Sequence, residues 1–369
     1  MAIPVGRAEE VAEKIARVRS LLARLKLKGV LLRRSTNVAW LTGGRHTHVT
    51  LTNEQSVASA LVTADHLYLL TNRIEAARMA EEEQLTAAGF EFVVGDWYER
   101  NTPAAHVAGG PVGVDGPYGD GKNIADEITP LRYQLTGDEV TRYRWLGRAT
   151  AAVLQHVAKT LASGQTEDQI AGRLTGALVG EGLFPTCILV ATDERIFRYR
   201  HPLPTGKRLD RYAMLVVGAR RWGLHVSCTR LVYFGVLPAD LRRQAEWTAR
   251  IDATYITNTV PGARISDVFK RAQEAYAAAG HPDEWQLHHQ GGACGYEGRD
   301  YKGTPTCQEI VANNQAFAWN PSISGTKSED TVLVTEQGQE ILTLADDWPT
   351  WTFVLNNRTC CRPVVLERS

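Results

Sequence analysis

Hydrophobic positions in the first third of the chain alternate between helical and extended spacings. An opening amphipathic helix is predicted because apolar residues recur three and four positions apart, at Val11, Ile15, Val18, Leu22 and Leu25. The pattern then predicts a buried strand at 29–32, two strands around a turn within 56–70, a helix from about 72, and strands at 91–96 and 111–116. This alternation is typical of an α/β domain, which we place at residues 1–134.

After residue 134 the pattern changes to paired helices followed by many strands. Thr136-Gly-Asp begins a long helix that ends before Gly164, and Thr166 with Gln169 has the form of a capping box for the next helix. The later predicted elements are helices at 238–258 and 266–279 and strands at 186–193, 212–222, 224–235, 286–292, 315–320, 330–338 and 339–344. This order predicts an α+β domain at residues 135–369, with helix pairs on a largely antiparallel sheet.

Composition narrows the range of partners and compartments. Lys plus Arg and Asp plus Glu both total 41, so no net charge attracts nucleic acid or an acidic membrane surface. No apolar run approaches the roughly 20 residues that a membrane span needs, and residues 1–10 lack the apolar core of a signal peptide. Six cysteines without a CxxC pair fit a reducing compartment. We therefore expect a cytoplasmic protein without nucleic-acid or membrane partners.

Three segments resemble the aminopeptidase P, prolidase and creatinase family. They are RVRSLLARLKLKGVLLRRSTNVAWLTG at 17–43, GDEVTRYRWLGRATAAV at 137–153, and TVLVTEQGQEILT at 331–343. The resemblance covers nearly the whole chain and implies two domains. These are an α/β creatinase/prolidase-type N-terminal domain and an α+β pita-bread C-terminal domain. It also implies a homodimer that binds a small molecule or a short peptide.

Metallopeptidases of the resembled family hold two divalent cations with two Asp, one His and two Glu. The positions that match these ligands carry Val216, Ser227, Gly292, Asn320 and Glu329. A single carboxylate cannot balance the charge of two dications, which need several hard oxygen ligands. We therefore expect no metal at these positions, no cofactor, and no activity that depends on a two-metal site.

Three residues are candidates for catalysis through the resemblance. His201 matches the family's histidine that contacts substrate near the scissile bond, and His288 matches the first histidine of its glycine-rich strand. A pair of imidazoles can shuttle a proton to a leaving nitrogen, although both could be hydrogen-bonded cleft residues. Glu329 could act as a general base, bind a cationic group, or support the sheet through buried hydrogen bonds. The sequence leaves these alternatives open.

Further polar residues lie at or near the positions that match the family's metal ligands. Arg299 could bind a substrate carboxylate with two hydrogen bonds, and we predict that Ser227 and Asn320 contact substrate. Cys294 is a substrate-contact candidate in a glycine-rich turn and a candidate nucleophile, although small buried thiols are usually inert. His289 directly follows His288 on a predicted strand, so we expect it to point away from the cleft.

A loop of the first domain supplies the last two candidates. Arg45 and His46 lie just after the Leu-Thr-Gly turn that resembles the family. In dimeric members that region reaches toward the partner's active site, so the resemblance implies that these residues contact substrate in trans. They could equally be surface residues.

Three functions remain compatible with these residues. The first is metal-independent hydrolysis of a C–N bond in a small amino-acid-like, guanidino or dipeptide substrate. The second is binding of a peptide or small ligand without catalysis. The third is an Xaa-Pro aminopeptidase-type activity with an atypical site. The geometry of the cleft histidines around Glu329 should discriminate between catalysis and binding.

Overall fold

The computed structural model describes residues 8–98, 107–345 and 347–369, which form two compact units. The first unit contains the described residues up to Arg142 together with Trp222–Leu224, and the second contains Tyr143–Arg221 and the described residues from His225 onward. The division after Arg142 falls inside the long helix that the sequence predicts to begin near residue 136.

The first unit is an α/β domain, as the hydrophobic pattern predicts. Its elements are α1 (Ala8–Leu25), β1 (Gly29–Arg34), α2 (Ser35–Leu41), β2 (Gln55–Thr63), β3 (Leu67–Asn72), α3 (Ala76–Glu81), β4 (Glu91–Gly95), β5 (Val112–Val114), β6 (Lys122–Asn123) and α4 (Ala125–Ile128). The strands form one sheet in the order β4-β3-β2-β1-β5-β6. Helix α1 forms because its apolar stripe, which includes Val11, Val18 and Leu22, is buried.

The helices after residue 134 follow the predicted boundaries closely, except the short helix Glu194–Arg198, which the pattern does not predict. They are α5 (Gly137–Lys159), α6 (Glu167–Gly180), α7 (Glu194–Arg198), α8 (Ala239–Asn258) and α9 (Ile265–Ala278). The capping box at the start of α6 is confirmed, because the Gln169 backbone N–H donates to Thr166 Oγ1 at 3.1 Å and the Thr166 N–H donates to Gln169 Oε1 at 2.9 Å. These two bonds satisfy amide groups that a helix start otherwise leaves unpaired. No helix of the described residues has the length and apolar composition that crossing a membrane requires.

The strands of the second unit form largely antiparallel sheets. They are β7 (Phe184–Thr192), β8 (Tyr212–Arg221), β9 (Leu224–Phe234), β10 (Gly291–Cys294), β11 (Tyr301–Lys302), β12 (Gln315–Trp319), β13 (Ser322–Ile323), β14 (Thr326–Lys327), β15 (Asp330–Thr335), β16 (Gly338–Ile341), β17 (Thr350–Leu355), β18 (Arg358–Pro363) and β19 (Leu366–Arg368). The larger sheets have the orders β11-β10-β12-β15-β16 and β19-β9-β8-β7. Helices α8 and α9 pack on this framework, where the Tyr255 and Trp319 rings stack with centroids 4.5 Å apart.

One predicted strand is wrong at its start. The prediction placed a strand at 286–292, whereas the structure has a 3-10 turn at Glu284–Leu287 and strand β10 begins only at Gly291. A Cβ on Gly291 would lie 2.1 Å from the Ala318 carbonyl oxygen, so the backbone of β12 approaches too closely for any other residue. His288 and His289 therefore lie in a connecting segment without strand alternation.

Candidate functional site

A cavity of about 300 Å³ lies within the second unit. The lining residues include five from β8 and β9. They are Thr186, Cys187, Leu189, His201, Val216, Val217, Gly218, His225, Ser227, His289, Gly298, Arg299, Asn320, Lys327 and Glu329. The fold thus brings to one cavity residues that are up to 143 positions apart in the chain, between Thr186 and Glu329.

Glu329 is buried and held by two cations and a hydroxyl. Lys327 Nζ lies 3.1 Å from Glu329 Oε2, and Arg299 lies 3.2 Å from Oε1. The Thr229 hydroxyl donates to Oε2 at 2.8 Å. The carboxylate therefore has an opposite charge on each oxygen without any metal ion.

The electrostatic balance keeps Glu329 ionised. Burial alone would raise the pKa of this carboxyl group, but Lys327 and Arg299 together with the Thr229 hydrogen bond hold its pKa below the ordinary value. A carboxylate stabilised in this way is a weak base. The sequence left three roles open for Glu329, and the geometry fits best the binding of cationic groups. The cationic groups in question are the side chains of Lys327 and Arg299.

The two histidines that the resemblance singled out are in direct contact. Nε2 of His201 lies 2.9 Å from Nε2 of His288, with the ring centroids 4.7 Å apart. Burial and the charge of Lys327 lower the pKa of His201, and Glu329 partly opposes this. Burial, followed by Lys327 and His289, lowers the pKa of His288 to about 2. Both imidazoles are therefore neutral at pH 7, and one ring N–H faces the lone pair of the other.

The prediction that His289 points away from the cleft is wrong. His289 lines the cavity, and its ring stacks on His288 with centroids 4.6 Å apart and lies 5.6 Å from that of His201. The error follows from the strand start, because consecutive residues in a connecting segment outside a paired strand need not keep the regular alternation of faces. Burial and the charges of Arg299 and Lys302 lower the pKa of His289 to about 4.

Cys294 differs from the other substrate-contact candidates in its surroundings. It is only 4% exposed, its Sγ lies 3.3 Å from the Tyr143 hydroxyl, and it is not among the residues that line the cavity. Burial raises the pKa of its thiol to about 11. A thiol that stays protonated and enclosed at neutral pH is a poor nucleophile, so the structure gives no support to a catalytic Cys294.

Ser227 and Asn320 both line the cavity, and their contact with a substrate stays a prediction. Asn320 is 2% exposed, and within the described part of the chain its Oδ1 atom is buried without a hydrogen-bond partner. Unpaired buried polar atoms are costly, which makes this oxygen a ready acceptor for a ligand N–H group. His225 also lines the cavity and lies on the same strand as Ser227.

The family's two-metal centre does not fit these residues. Val216 is apolar, and Gly292 cannot be replaced by a liganding side chain because a Cβ there would lie 2.2 Å from the Tyr301 carbonyl oxygen. The backbone at Gly292 also has a φ of +151°, which other residues rarely adopt. The remaining carboxylate, Glu329, already has two cationic partners. At Gly292, both the backbone conformation and the lack of space therefore exclude the histidine ligand of the family's metal centre.

Arg45 and His46 lie in the first unit, where the structure shows what holds them. The Arg45 guanidinium donates to the Thr42 carbonyl at 2.5 Å and to the Glu83 carbonyl at 2.7 Å. The His46 backbone N–H donates to the Glu83 carboxylate at 2.8 Å. These bonds order the loop internally, and its role toward a partner subunit stays a prediction, as does the homodimer.

Several lining residues are not part of the predicted site, among them Lys327, Thr186 and Cys187. Lys327 precedes Glu329 by two positions, and this spacing in an extended segment could have indicated a shared face. Thr186 and Cys187 lie on β7, whose sequence gives no sign that it borders a site. They reach the cavity only because β7 pairs with β8.

The two domain types, with the remnant of a two-metal site, define a protein of the pita-bread class with a creatinase/prolidase-type N-terminal domain. Residues 141–336, more than half of the chain, match the model of metallopeptidase family M24. Residues 14–116 match the creatinase/prolidase N-terminal domain. The chain belongs to metallopeptidase family M24, which confirms the resemblance and the fold inferred from the sequence.

Individual relatives are distant but extend over almost the whole chain. The probable dipeptidase PepE of Mycobacterium tuberculosis is 24% identical over 367 residues, covering 90% of this chain and 94% of the relative. The crystal structure of dipeptidase PepE from Mycobacterium ulcerans has a TM-score of 0.76 at 20% identity, covering 93% of this chain and 98% of that one. The prolidase from Pyrococcus horikoshii also has a TM-score of 0.76, at 17% identity, with 90% and 99% coverage.

Proposed function

We propose that this protein hydrolyses a C–N bond in a small amino-acid-like or dipeptide substrate without the family's metal pair. The observation that carries the proposal is the contact between His201 and His288 at 2.9 Å beside a cavity of about 300 Å³. A cavity of this size holds a ligand of dipeptide dimensions. The similarity to proteins named dipeptidase and prolidase supports the same substrate class.

The imidazole pair supplies the proton transfers that hydrolysis needs. A neutral imidazole can accept a proton from water as the water attacks the substrate carbon, and the proton can then pass to the leaving nitrogen. His201 lines the cavity, so it is the member of the pair that faces substrate. His288 is 7% exposed and fixes the tautomer and orientation of His201 through the ring–ring hydrogen bond.

The charges around the cavity favour a substrate with a carboxylate. Lys327 and Arg299 contribute two positive charges and Glu329 one negative charge, which leaves one positive charge in excess. This balance disfavours a guanidino substrate, because each Glu329 oxygen already contacts a cation and the cavity carries excess positive charge. An amino-acid carboxylate can instead bind on the cationic side, with the Asn320 oxygen accepting a substrate N–H group.

Turnover of chelator-treated protein tests the proposal. The full chain, stripped with EDTA and desalted, is assayed on Xaa-Pro and other dipeptides, with creatine-like compounds in a separate arm. We expect dipeptide turnover to persist, and His201→Asn and His288→Asn to lower kcat about 10²- to 10⁴-fold. His156→Asn is the matched control, because His156 is exposed on α5. Loss of turnover on chelation, or full activity of His201→Asn, would contradict the proposal.

A second candidate function is ligand binding without catalysis. The saturation of Glu329 by Lys327 and Arg299 favours it, because the site then holds no free general base among its carboxylates. Calorimetric titration with the same dipeptides discriminates the two functions. Binding that depends on Arg299 and Asn320, with the dipeptide recovered intact after prolonged incubation, would establish the binding function instead.

A further inference from the structure

Three imidazoles meet at the edge of the cavity. His201, His288 and His289 each offer a ring nitrogen, and these nitrogens all lie within 4.8 Å of one another. We propose that these three residues bind one first-row transition-metal ion, with Zn²⁺ as the reference ion. None of the three occupies a position that matches a ligand of the family's metal pair, so this is a different site with a different ligand type.

The distance between two of the three ligands is close to that in a histidine-bound metal site, and the third nitrogen lies within 4.8 Å of both. Zinc binds imidazole nitrogen at about 2.0–2.1 Å, so two ligands of a tetrahedral ion lie about 3.3 Å apart. The His201 and His288 nitrogens are 2.9 Å apart, and a separation of a few tenths of an ångström more would admit the ion. The buried Nδ1 atoms of His288 and His289 have no hydrogen-bond partner within the described residues, so no hydrogen bond to those atoms opposes a small ring rotation.

The arrangement leaves a coordination position toward the cavity. Three protein ligands with an open fourth position are typical of zinc sites that bind water or a small ligand. His201 and His289 both line the cavity, so that position faces the space in which a ligand binds. The buried, unpaired Oδ1 of Asn320 borders the same cavity and can accept a hydrogen bond from water on the ion.

The neighbouring charges set the selectivity. Lys327, Lys302 and Arg299 act on these imidazoles as positive charges, which repel any dication. Ions that form strong bonds to neutral nitrogen, such as Zn²⁺, Co²⁺ and Ni²⁺, can overcome this repulsion. Mg²⁺ and Mn²⁺ prefer oxygen ligands, and the three imidazoles offer none. We therefore expect binding of the first group and not of the second.

Metal binding competes with the proposed hydrolysis. Coordination uses the lone pairs of His201 and His288, which the proton transfers also require. This consequence rests on the proposed function, whereas the binding itself does not. Zn²⁺ is therefore an inhibitor of dipeptide turnover, and EDTA restores turnover.

Cobalt spectroscopy tests the site independently of turnover. Co²⁺ is titrated into EDTA-stripped, desalted full-length protein, and the visible d–d absorption is followed. We expect saturation at one equivalent, displacement by one equivalent of Zn²⁺, and no displacement by Mg²⁺ or Mn²⁺. His289→Ala and His201→Ala should each weaken Co²⁺ binding at least tenfold because each removes a ligand. His156→Ala, at the exposed position on α5, should bind as the parent protein does.

Each remaining outcome decides one part of the proposal. Thermal melting of every variant establishes that the chain is folded. Two ligand variants are used, so that the test still stands if one of them misfolds. Absence of a d–d band at millimolar Co²⁺, or unchanged binding by both folded variants, would overturn the metal site. A metal-bound protein that still hydrolyses dipeptides at the full rate would overturn the competition while leaving binding intact. A chain without dipeptidase activity would contradict the proposed function, and the Co²⁺ titration would still decide the metal site.

Discussion

Replacing Glu329 by Gln tests how much the negative charge of Glu329 contributes to the free energy of unfolding. Glu329 is 3% exposed, and its carboxylate contacts Lys327 and Arg299 at 3.1 and 3.2 Å. Glutamine keeps the shape and can accept the Thr229 hydrogen bond, but it removes the negative charge. Two cations with little access to water then face each other without a counter-ion.

The magnitude follows from these contacts. One ion pair at about 3 Å is worth about 5 kcal/mol at an effective dielectric constant of 20, and the existing burial cost of the charges offsets part of that gain. Removing one partner of a buried pair costs about 3–5 kcal/mol in measured cases. We therefore expect Glu329→Gln to lower the free energy of unfolding by about 3–5 kcal/mol at pH 7.

Urea denaturation of both proteins at several pH values provides the measurement. The pKa of Glu329 is lowered in the folded protein, so its stabilisation is present above the ordinary value of 4.5 and is lost as the pH falls through the folded pKa. The difference between the two proteins should therefore shrink below about pH 4. Glu340→Gln is the matched control, because the Glu340–Arg144 pair is 41% exposed on both sides and should contribute less than about 1 kcal/mol. Equal unfolding midpoints for Glu329→Gln and the parent protein would refute the reasoning.

Three further changes test the backbone, a helix cap and a buried ion pair. Gly292→Ala should destabilise the chain by at least about 1–3 kcal/mol in urea denaturation, because its Cβ would lie 2.2 Å from the Tyr301 carbonyl oxygen. Gly298→Ala, whose Cβ meets nothing within 4 Å, should not. Thr166→Ala should cost about 1 kcal/mol through the lost cap of α6, and an unchanged midpoint would argue against the capping box. Arg362→Met should cost about 3–5 kcal/mol in the same assay, since Arg362 is fully buried against Asp252 and Asp330 at 2.6 and 2.8 Å; exposed Arg358→Met is its control.

Local patterns along the chain predict most of the fold. The spacing of Val11, Val18 and Leu22 indicates α1 without any knowledge of its neighbours, and Thr166 with Gln169 marks the start of α6. Such signals depend on residues within one or two turns. The strands β17–β19 are absent from the predictions, because several side chains of β17 and β18 are exposed and the apolar pattern is weak there.

The candidate site is predictable only in part. His201 and His288 are recognised by resemblance, and their contact at 2.9 Å agrees with a shared cleft. The position of His289 depends on where β10 begins, and the close approach of the Ala318 carbonyl oxygen to Gly291 is a tertiary contact. No spacing rule contains that information.

The sequence by itself determines which chemical groups this protein has lost and which it retains. Val216 and Gly292 have no side-chain atom that can bind a metal, and Glu329 keeps its carboxyl group whatever surrounds it. Only the tertiary structure decides what these groups do, because charge and reactivity depend on distances between residues far apart in the chain. It brings Lys327 and Arg299 into contact with Glu329, so that their positive charges balance the charge of the carboxylate. It also brings three imidazoles together at one edge of the cavity.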